Sequence, residues 1–303
     1  MFDVVGVGDL DVDLYMDLDR IPEPDEKLLA RNHHYHVGGM VANTCAALSR
    51  LGKSTILHAP VGDDYYGNVA LAGMKQSGVD VSGVIKKPVG STYFCVVMLD
   101  PSGEKALIVV PTDCLHPAEE DICADVIKGA RHMHTVLFDG VESALEIARE
   151  NRITVSLDIE PGMVQGQSID RLREILQKVD IVFIGETAAD LVGSTGSPRE
   201  NIEKIAGFGS GIICLTQGSR GGLVWHEGNV ERYQAFPVKP LDTTGAGDCF
   251  DSGFIYGFLE GWPPLRSAEF ASAAAALNTL SYGGHDGAPS FDEVIRMIQN
   301  NRD

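Results

Sequence analysis

The sequence predicts an α/β fold with a central, mostly parallel sheet and helices on both faces. Short β-branched runs alternate along the chain with stretches of helical periodicity, and this alternation is typical of repeated β–α–β units. The strand-like runs are Asp3–Val7, Met133–Phe138, Ile153–Asp158, Ile181–Ile184 and Ile212–Thr216. The helix-like stretches are Val41–Leu51, Tyr65–Ser77, Ala118–Lys128, Ser143–Asn151, Ile169–Lys178 and Ile202–Phe208. Ligands of such folds bind at the carboxyl ends of the strands.

Two regions interrupt the alternation and predict a small separate sheet. Residues 14–37 hold alternating segments with two prolines, and residues 91–111 hold two strand-like runs, Thr92–Leu99 and Lys105–Val110. The linking residues Asp100–Gly103 have the chemistry of a tight turn, so the second region is predicted to be a hairpin. We expect the two insertions to form a β lid over the main sheet.

The last third of the chain is predicted to be helical. Its segments are Gly247–Leu259, Leu265–Leu280 and Phe291–Asn300. The small side chains of residues 271–276 allow close packing, either against a bound nucleotide or, as is more common, against a neighbouring helix. No repeat or low-complexity linker divides the sequence, so we expect a single domain over residues 1–303.

Composition limits the classes of partner. The 303-residue chain carries a formal net charge of -19, which argues against nucleic acid or an anionic membrane as a partner. No apolar run approaches the roughly 18 residues of a membrane-spanning helix, and the first residues lack the features of a signal peptide. The six cysteines are scattered without a Cys-x-x-Cys pair, a usage typical of reduced thiols. We therefore expect a cytoplasmic protein.

The most informative segment is a glycine-containing turn that leads directly into the apolar stretch Phe250–Leu259. The free N–H groups of a helix's first turn favour anions, and Gly245 and Gly247 let the backbone approach a phosphate closely. A carboxylate at Asp248 would repel that phosphate. We interpret it as a general base that takes a proton from an attacking hydroxyl. The competing interpretation is an ordinary loop with an aspartate near a helix N-terminus.

The turn also carries a family resemblance. Residues 242–248 read Asp-Thr-Thr-Gly-Ala-Gly-Asp, which resembles the C-terminal signature of the ribokinase-like (PfkB) family of carbohydrate kinases. Two more segments, Gly38–Asn43 and Thr216–Gly221, match other signatures in the family's order, and the resemblance covers nearly the whole chain. It implies a ribokinase-like fold and phosphoryl transfer from ATP with Mg²⁺. Gly245, Ala246 and Gly247 would then form the anion hole.

The resemblance also implies an acceptor pocket. It assigns Asp11 and Asp13, after the first strand, to the hydroxyls of a sugar, because each carboxylate accepts hydrogen bonds from hydroxyl groups. Gly38, Gly39 and Asn43 resemble the other half of this pocket. The alternative is that the aspartates of this stretch form a solvated acidic edge; they are Asp9, Asp11, Asp13, Asp17 and Asp19.

Two residues bear on the identity of the acceptor. In ribokinase a lysine follows the two glycines, whereas this sequence has Met40, which suggests an acceptor with a less polar face. Asp139 follows a predicted strand and either reaches the same crevice or caps the strand end. A phosphorylated acceptor would require a cationic cluster in the lid, for which the nearby cations are Arg31, Lys86, Lys87 and Lys105.

The resemblance assigns the nucleotide to the turn after Ile212–Thr216, with Thr216, Gly218 and Gly221 as contacts. The family's Asn-x-x-Glu, which is linked to the magnesium shell, is replaced here by Gly185–Ala188. Glu186 is expected to substitute for it through a water-mediated contact, which Mg²⁺ tolerates.

The same resemblance bears on a monovalent cation and on assembly. Asp242 and the backbone of Thr244 match the position of a monovalent cation in many family members, so K⁺ dependence is an expectation. The lid of such proteins often clasps a second subunit. A homodimer through the lid is therefore implied as well.

These observations predict an ATP-dependent kinase that phosphorylates a hydroxyl of a small sugar or sugar-like molecule. Two alternatives stay open. A nucleoside kinase of the same family would place Met40 against the base of its substrate. A non-catalytic sensor of sugar or nucleotide would account for the replaced Asn-x-x-Glu.

Overall fold

The computed structural model describes residues 1–101, 105–194 and 196–301. Its strands are β1 Phe2–Val7, β2 Asp11–Asp17, β3 Asn32–Gly38, β4 Thr55–His58, β5 Pro60–Gly62, β6 Ile85–Lys87, β7 Phe94–Leu99, β8 Lys105–Val110, β9 Ala130–Val136, β10 Thr154–Ile159, β11 Ile181–Gly185, β12 Ile212–Thr216, β13 Gly222–His226 and β14 Asn229–Tyr233. Its α-helices are α1 Met40–Arg50, α2 Tyr65–Gln76, α3 Ala124–Lys128, α4 Val141–Glu150, α5 Pro161–Val164, α6 Ile169–Leu176, α7 Glu186–Gly193, α8 Pro198–Ala206, α9 Ala246–Leu259, α10 Pro264–Asn278 and α11 Phe291–Asn300.

The central sheet has eight strands in the order β14-β13-β12-β11-β10-β9-β1-β4. The pairs from β12 to β4 are parallel, and β13 and β14 add an antiparallel edge. Along β11, Ile181 and Phe183 pack into one apolar cluster while Val182 and Ile184 pack into another. Because successive side chains of a strand point to opposite faces, both faces of the sheet are covered. The predicted α/β architecture is confirmed.

A second sheet has the strand order β3-β2-β7-β8. Strand β2 pairs antiparallel with β3 and parallel with β7, and β7 pairs antiparallel with β8. The predicted small sheet is therefore present, and its last two strands pair as the predicted hairpin. Within the predicted turn Asp100–Gly103, residues 102 and 103 lie outside the described part of the chain.

The predicted helix Ala118–Lys128 is wrong in its first half. That half contains a short 3₁₀ turn, Glu119–Asp121, and regular α-helix begins only at Ala124. The Asp121 carboxylate accepts a hydrogen bond of 3.0 Å from the Ala118 amide and forms an ion pair of 2.8 Å with Lys87. This local capping closes the turn, and the backbone of Ile122 is then extended.

The edge hairpin β13–β14 was not predicted. Its two-residue loop, Glu227-Gly228, has positive φ at both positions, 48° and 82°. This geometry matches a type I′ turn, which suits the twist of paired strands. Gly228, which directly follows the run Gly222–His226, is the signal that could have indicated it. Among the described residues, no helix has both the length and the apolar character needed to cross a bilayer.

Two neutral histidines lie buried between β9 and β10. His132 Nδ1 lies 2.9 Å from Thr154 Oγ1, and His134 Nδ1 lies 2.9 Å from Ser156 Oγ. Burial lowers the pKa of both histidines to about 3, and the neighbouring His134 lowers that of His132 further. Both rings stay neutral in the folded protein over a pH range in which the unfolded chain binds protons.

We therefore expect the free energy of unfolding to fall as the pH drops from about 6.5 towards 3, since folded pKa values below the unfolded ones stabilise only at higher pH. The slope is at most about 1.4 kcal/mol per pH unit for each histidine. Urea titrations across this interval measure it. His134→Gln should reduce the slope, whereas His33→Gln, at an exposed position, should not; an equal slope in all three proteins would contradict the assignment.

Candidate active site

The glycine-containing turn forms the N-terminus of α9. Its N-cap is Gly245, which has a left-handed backbone with φ of 70°. A Cβ at this position would lie 1.8 Å from the carbonyl oxygen of Gly284. The Ala246 amide lies 3.3 Å from the Thr243 carbonyl oxygen, and the Gly247 amide has no hydrogen-bond partner among the described residues. The turn therefore offers backbone donors for an anion at a helix N-terminus.

Asp248 lies in the first turn of α9 and is 8% exposed. Its Oδ2 accepts a hydrogen bond of 2.8 Å from Asn43 Nδ2. Burial raises the pKa of Asp248 well above its usual value, and the charges of Asp158, Glu160 and Asp9 raise it further, while the Asn43 hydrogen bond lowers it. The carboxyl group is thus a strong proton acceptor once it is ionised.

Asp11 and Asp13 lie on β2 and are buried, 4% and 7% exposed, and Asp9 is 6% exposed. The solvated acidic edge is therefore wrong for these three aspartates. Asp9 instead accepts the amides of Met40 and Val41, at 2.9 Å each, and so caps α1. Asp17 lies at the end of β2 and is partly buried, and Asp19 follows the strand and is exposed.

The carboxylates of Asp11 and Asp13 lie next to Cys95. One oxygen of each carboxylate and the Cys95 sulfur lie within 4.8 Å of one another. Asp11 Oδ1 is buried without a hydrogen-bond partner in the described structure. Burial raises the pKa of Asp11, and the charges of Asp13, Asp9 and Asp248 add to the effect. A buried oxygen such as Asp11 Oδ1 suits a hydroxyl donor or a hard cation.

The segment Gly38–Asn43 packs directly on these carboxylates. A Cβ at Gly38 would lie 2.4 Å from Asp11 Oδ1 and 2.8 Å from Asp13 Oδ2, so only glycine allows this approach. Gly39 is the N-cap of α1. Asn43 is 5% exposed and bridges this region to Asp248. The structure thus brings the two predicted halves of the acceptor pocket together beside Asp248.

A cavity of ≈ 530 Å³ lies on the other side of the α9 N-terminus. Thr216, Gly218 and Gly221 line it, together with Ala246 and Gly247. Its volume is within the ordinary range for a small-molecule site. Asp248 is not among its lining residues, since its side chain faces Asn43. The α9 turn therefore lies between a cavity and an acidic pocket.

The alanine-rich helix α10 borders the cavity and also packs against α9. Ser272, Ala275 and Ala276 line the cavity, whereas a Cβ on Gly253 of α9 would lie 2.7 Å from the Cα of Ala271. One face of α10 is thus in close contact with α9, and the other borders the cavity. The expected helix–helix contact is therefore present, while packing against a nucleotide stays a prediction.

Glu186 does not line the cavity. Its Oε1 accepts a hydrogen bond of 2.7 Å from Gln217 Nε2, and its Oε2 is ion-paired with Arg220. The carboxylate is thereby attached to the turn that follows β12. Arg220 is 61% exposed at its side chain.

Asp242 organises the loop before α9. Its Oδ1 accepts bonds from the Thr244 amide and hydroxyl, at 3.0 and 2.7 Å. Its Oδ2 accepts the Gly283 amide at 3.1 Å and the Tyr15 hydroxyl at 3.2 Å. Strand β2 of the second sheet, the loop before α9 and the segment after α10 therefore meet at this carboxylate.

Sequence reasoning missed three carboxylates: Asp158 and Glu160 lie at the carboxyl end of β10, and Asp251 lies on α9. Burial raises the pKa of Asp158 to about 7, and the charge of Glu160 contributes. Asp251 is buried, and one of its oxygens has no hydrogen-bond partner in the described structure. The position of Asp158 and Glu160 at a strand end was the available signal. Asp139 points elsewhere: its side chain is 94% exposed and pairs with Arg171.

Comparison with known proteins gives consistent matches. The profile described as pfkB family carbohydrate kinase matches residues 1–290. The ATP-dependent ribose-1-phosphate kinase of Halopiger xanaduensis is 31% identical over 307 residues, covering 100% of both chains. The 5-dehydro-2-deoxygluconokinase of Clostridium perfringens is 26% identical over 328 residues, covering 100% of this chain and 94% of the relative. Arabidopsis thaliana ribokinase, solved with ribose and ATP, has a TM-score of 0.85 at 23% identity, covering 98% of this chain and 99% of that one. This likeness confirms the ribokinase-like fold.

Proposed function

The chain belongs to the pfkB family of carbohydrate kinases, and we propose that it transfers the γ-phosphoryl group of ATP to a hydroxyl of a small sugar or sugar-like molecule. Asp248 acts as the general base. The observation that carries the proposal is the position of Asp248 at the N-terminus of α9, between the cavity and the buried carboxylates of β2. Phosphoryl transfer requires two substrates to meet at such a boundary.

The nucleotide occupies the 530 Å³ cavity, with its ribose and phosphates against Thr216, Gly218 and Gly221. The amides of Gly245, Ala246 and Gly247 stabilise the negative charge of the transferring phosphoryl group. As the acceptor oxygen forms its bond to phosphorus, the bond to the ADP oxygen breaks and the acceptor's proton passes to Asp248.

The acceptor lies against Asp11 and Asp13, whose carboxylates accept its hydroxyl hydrogen bonds. Asn43 and the close approach at Gly38 and Gly39 complete this pocket. The lid cations are engaged elsewhere: Lys86 pairs with Asp63, Lys87 with Asp121 and Arg31 with Asp19. The side chain of Lys105 lies outside the description. An uncharged acceptor therefore fits the described pocket better than a phosphorylated one.

The carboxylates around the α9 turn suit Mg²⁺. This ion prefers oxygen ligands and usually keeps several water molecules between itself and the protein. Asp158 and Glu160 have pKa values raised mainly by burial, so a cation would relieve their charge. Glu186 would contribute through water from the nucleotide turn. Mg²⁺ held by these residues would supply positive charge opposite the phosphates. Asp242 and the Thr244 backbone are the proposed position of K⁺.

The test is an acceptor screen that measures ADP release with ATP, Mg²⁺ and K⁺ present. Ribose and ribose 1-phosphate share the same sugar and differ by the phosphoryl group on the anomeric oxygen, and nucleosides test the alternative kinase. Replacing K⁺ by choline tests the monovalent cation. Turnover of ribose 1-phosphate but not of ribose would overturn the uncharged acceptor. Saturable ligand binding without product under any metal would instead favour a sensor.

The lid sheet also supports a homodimer. We propose that the insertions at 14–37 and 91–111 form a lid whose edge strand meets a second copy of the chain. Three consecutive apolar residues of β8 are about half exposed: Leu107 50%, Ile108 51% and Val109 52%. An edge strand with such a surface favours self-association.

We expect the wild-type protein to sediment as a dimer and Ile108→Asp to sediment as a monomer, because a charge on the edge strand opposes strand-to-strand contact. Analytical ultracentrifugation measures the mass. Val89→Asp, an exposed apolar position outside this strand, is the matched control. A monomeric wild-type protein would exclude the lid interface.

A further inference from the structure

A continuous chain of polar contacts leads from the end of α2 to Asp248. Ser77 Oγ lies 3.2 Å from His285 Nε2. His285 Nδ1 lies 2.8 Å from Asn43 Oδ1, and Asn43 Nδ2 lies 2.8 Å from Asp248 Oδ2. The chain joins three distant parts of the sequence at one carboxylate.

The chemistry of the groups sets the direction of every bond. An ionised Asp248 only accepts, so Asn43 must present its amide nitrogen to it. Asn43 Oδ1 then faces His285, and His285 Nδ1 must carry the proton. Nε2 is left to accept from the Ser77 hydroxyl. Burial lowers the pKa of His285, which keeps the ring neutral with one donor and one acceptor.

The loop that carries His285 also packs on Asn43 directly. A Cβ on Gly284 would lie 2.4 Å from Asn43 Nδ2. The Gly284 carbonyl accepts a hydrogen bond of 3.0 Å from Asn278 and is the group that excludes a side chain at Gly245. One loop therefore packs against both the Gly245–Gly247 turn and Asn43, the hydrogen-bond partner of the proposed base.

We propose that His285 is a positioning residue: its Nδ1 proton fixes the amide of Asn43 so that the nitrogen, not the oxygen, faces Asp248. Without that donor the Asn43 amide can rotate and turn its oxygen towards the carboxylate. The hydrogen bond that holds Asp248 in place is then lost and is replaced by repulsion between two acceptors. This inference rests on the proposed role of Asp248 as base.

Two substitutions separate the ring nitrogens. Asparagine at position 285 can place an amide N–H near the site of Nδ1, whereas glutamine places its polar group near Nε2. We expect His285→Gln to lower kcat about tenfold, the cost of one charge-assisted hydrogen bond, with the KM for ATP unchanged. His285→Asn should retain activity within about threefold, since it restores the donor.

The pH profile distinguishes positioning from a merely structural role. Losing the Asn43 donor raises the pKa of Asp248, so the acid limb of kcat/KM against pH should move to higher pH in His285→Gln and stay in place in His285→Asn. The limb reports Asp248 together with the carboxylates whose charges interact with it, which are Asp9, Asp11, Asp158, Glu160 and Asp251.

Circular dichroism shows whether each variant folds. If His285→Gln does not fold, His285→Ala gives the same readout, because it removes the donor without adding bulk. Equal kcat values and equal acid limbs in His285→Gln, His285→Asn and the wild-type protein would overturn the inference. If Asp248→Asn is inactive, that result still leaves Asp248 as the proposed base. An active Asp248→Asn contradicts the proposed function itself.

Discussion

We expect Asp248→Asn to fold and bind both substrates but to lose phosphoryl transfer by a factor of about 10²–10⁴, the usual contribution of a general base. The substitution keeps the shape of the side chain, and the new amide oxygen can still accept from Asn43 Nδ2. It removes the carboxylate that, in the proposed mechanism, takes up the proton of the attacking hydroxyl. Single-turnover kinetics with ATP and the best acceptor measure the chemical step directly.

The matched control is Asp251→Asn, on the same helix. Asp251 is also a buried carboxyl, and burial raises its pKa as well. Both variants remove one potential negative charge from the interior, but only Asp248 contacts Asn43. Activity close to wild type in Asp251→Asn together with an inactive Asp248→Asn would assign the effect to the base. Wild-type turnover in Asp248→Asn would end the proposal.

We expect Gly245→Ala to be nearly as damaging for activity. The positive φ of Gly245 is strained for alanine, and the added Cβ would overlap the Gly284 carbonyl oxygen at 1.8 Å. Strain of this kind costs about 1–3 kcal/mol, and the displaced turn withdraws its amides from the phosphate. Removing one such donor typically lowers kcat by about 10²–10³.

Two measurements separate the loss of stability from the loss of catalysis. Chemical denaturation gives the loss of stability, and kcat at saturating ATP gives the loss of transition-state stabilisation. Gly247→Ala is the control for stability, since a Cβ there meets no atom within 4 Å. A Gly245→Ala protein with unchanged stability and turnover would show that the turn does not act as an anion hole.

The alternating strands and helices could be predicted because each carries a strong local pattern. Strands β11 and β12 are buried on both faces and read as continuous apolar runs. The hairpin β13–β14 was missed because it lies at the sheet edge, where Glu231 and Arg232 are exposed and the apolar pattern is weak. The first half of Ala118–Lys128 was assigned wrongly because the capping by Asp121 depends on a turn that periodicity does not reveal.

The site divides in the same way. The turn at Gly245–Asp248 stands out by composition and spacing, and the family resemblance points to the cavity contacts at Thr216 and Gly218. By contrast, Asp13 and Asp17 look alike along the chain, and only the packing of Gly38 against β2 separates a buried carboxylate from a more exposed one. His285 carries no local signal, since its role depends on Asn43, which lies on a distant helix.

The sequence alone thus predicted the local features. These are the segments that form strands and helices, the glycine-containing turn at the start of a helix, and the carboxylate that follows this turn. Which charges are buried, which amide faces Asp248 and which loop supports Gly245 were settled only by folding. These properties depend on the dielectric surroundings of each group and on contacts between residues far apart in sequence. A local run of residues determines neither the surroundings nor those contacts.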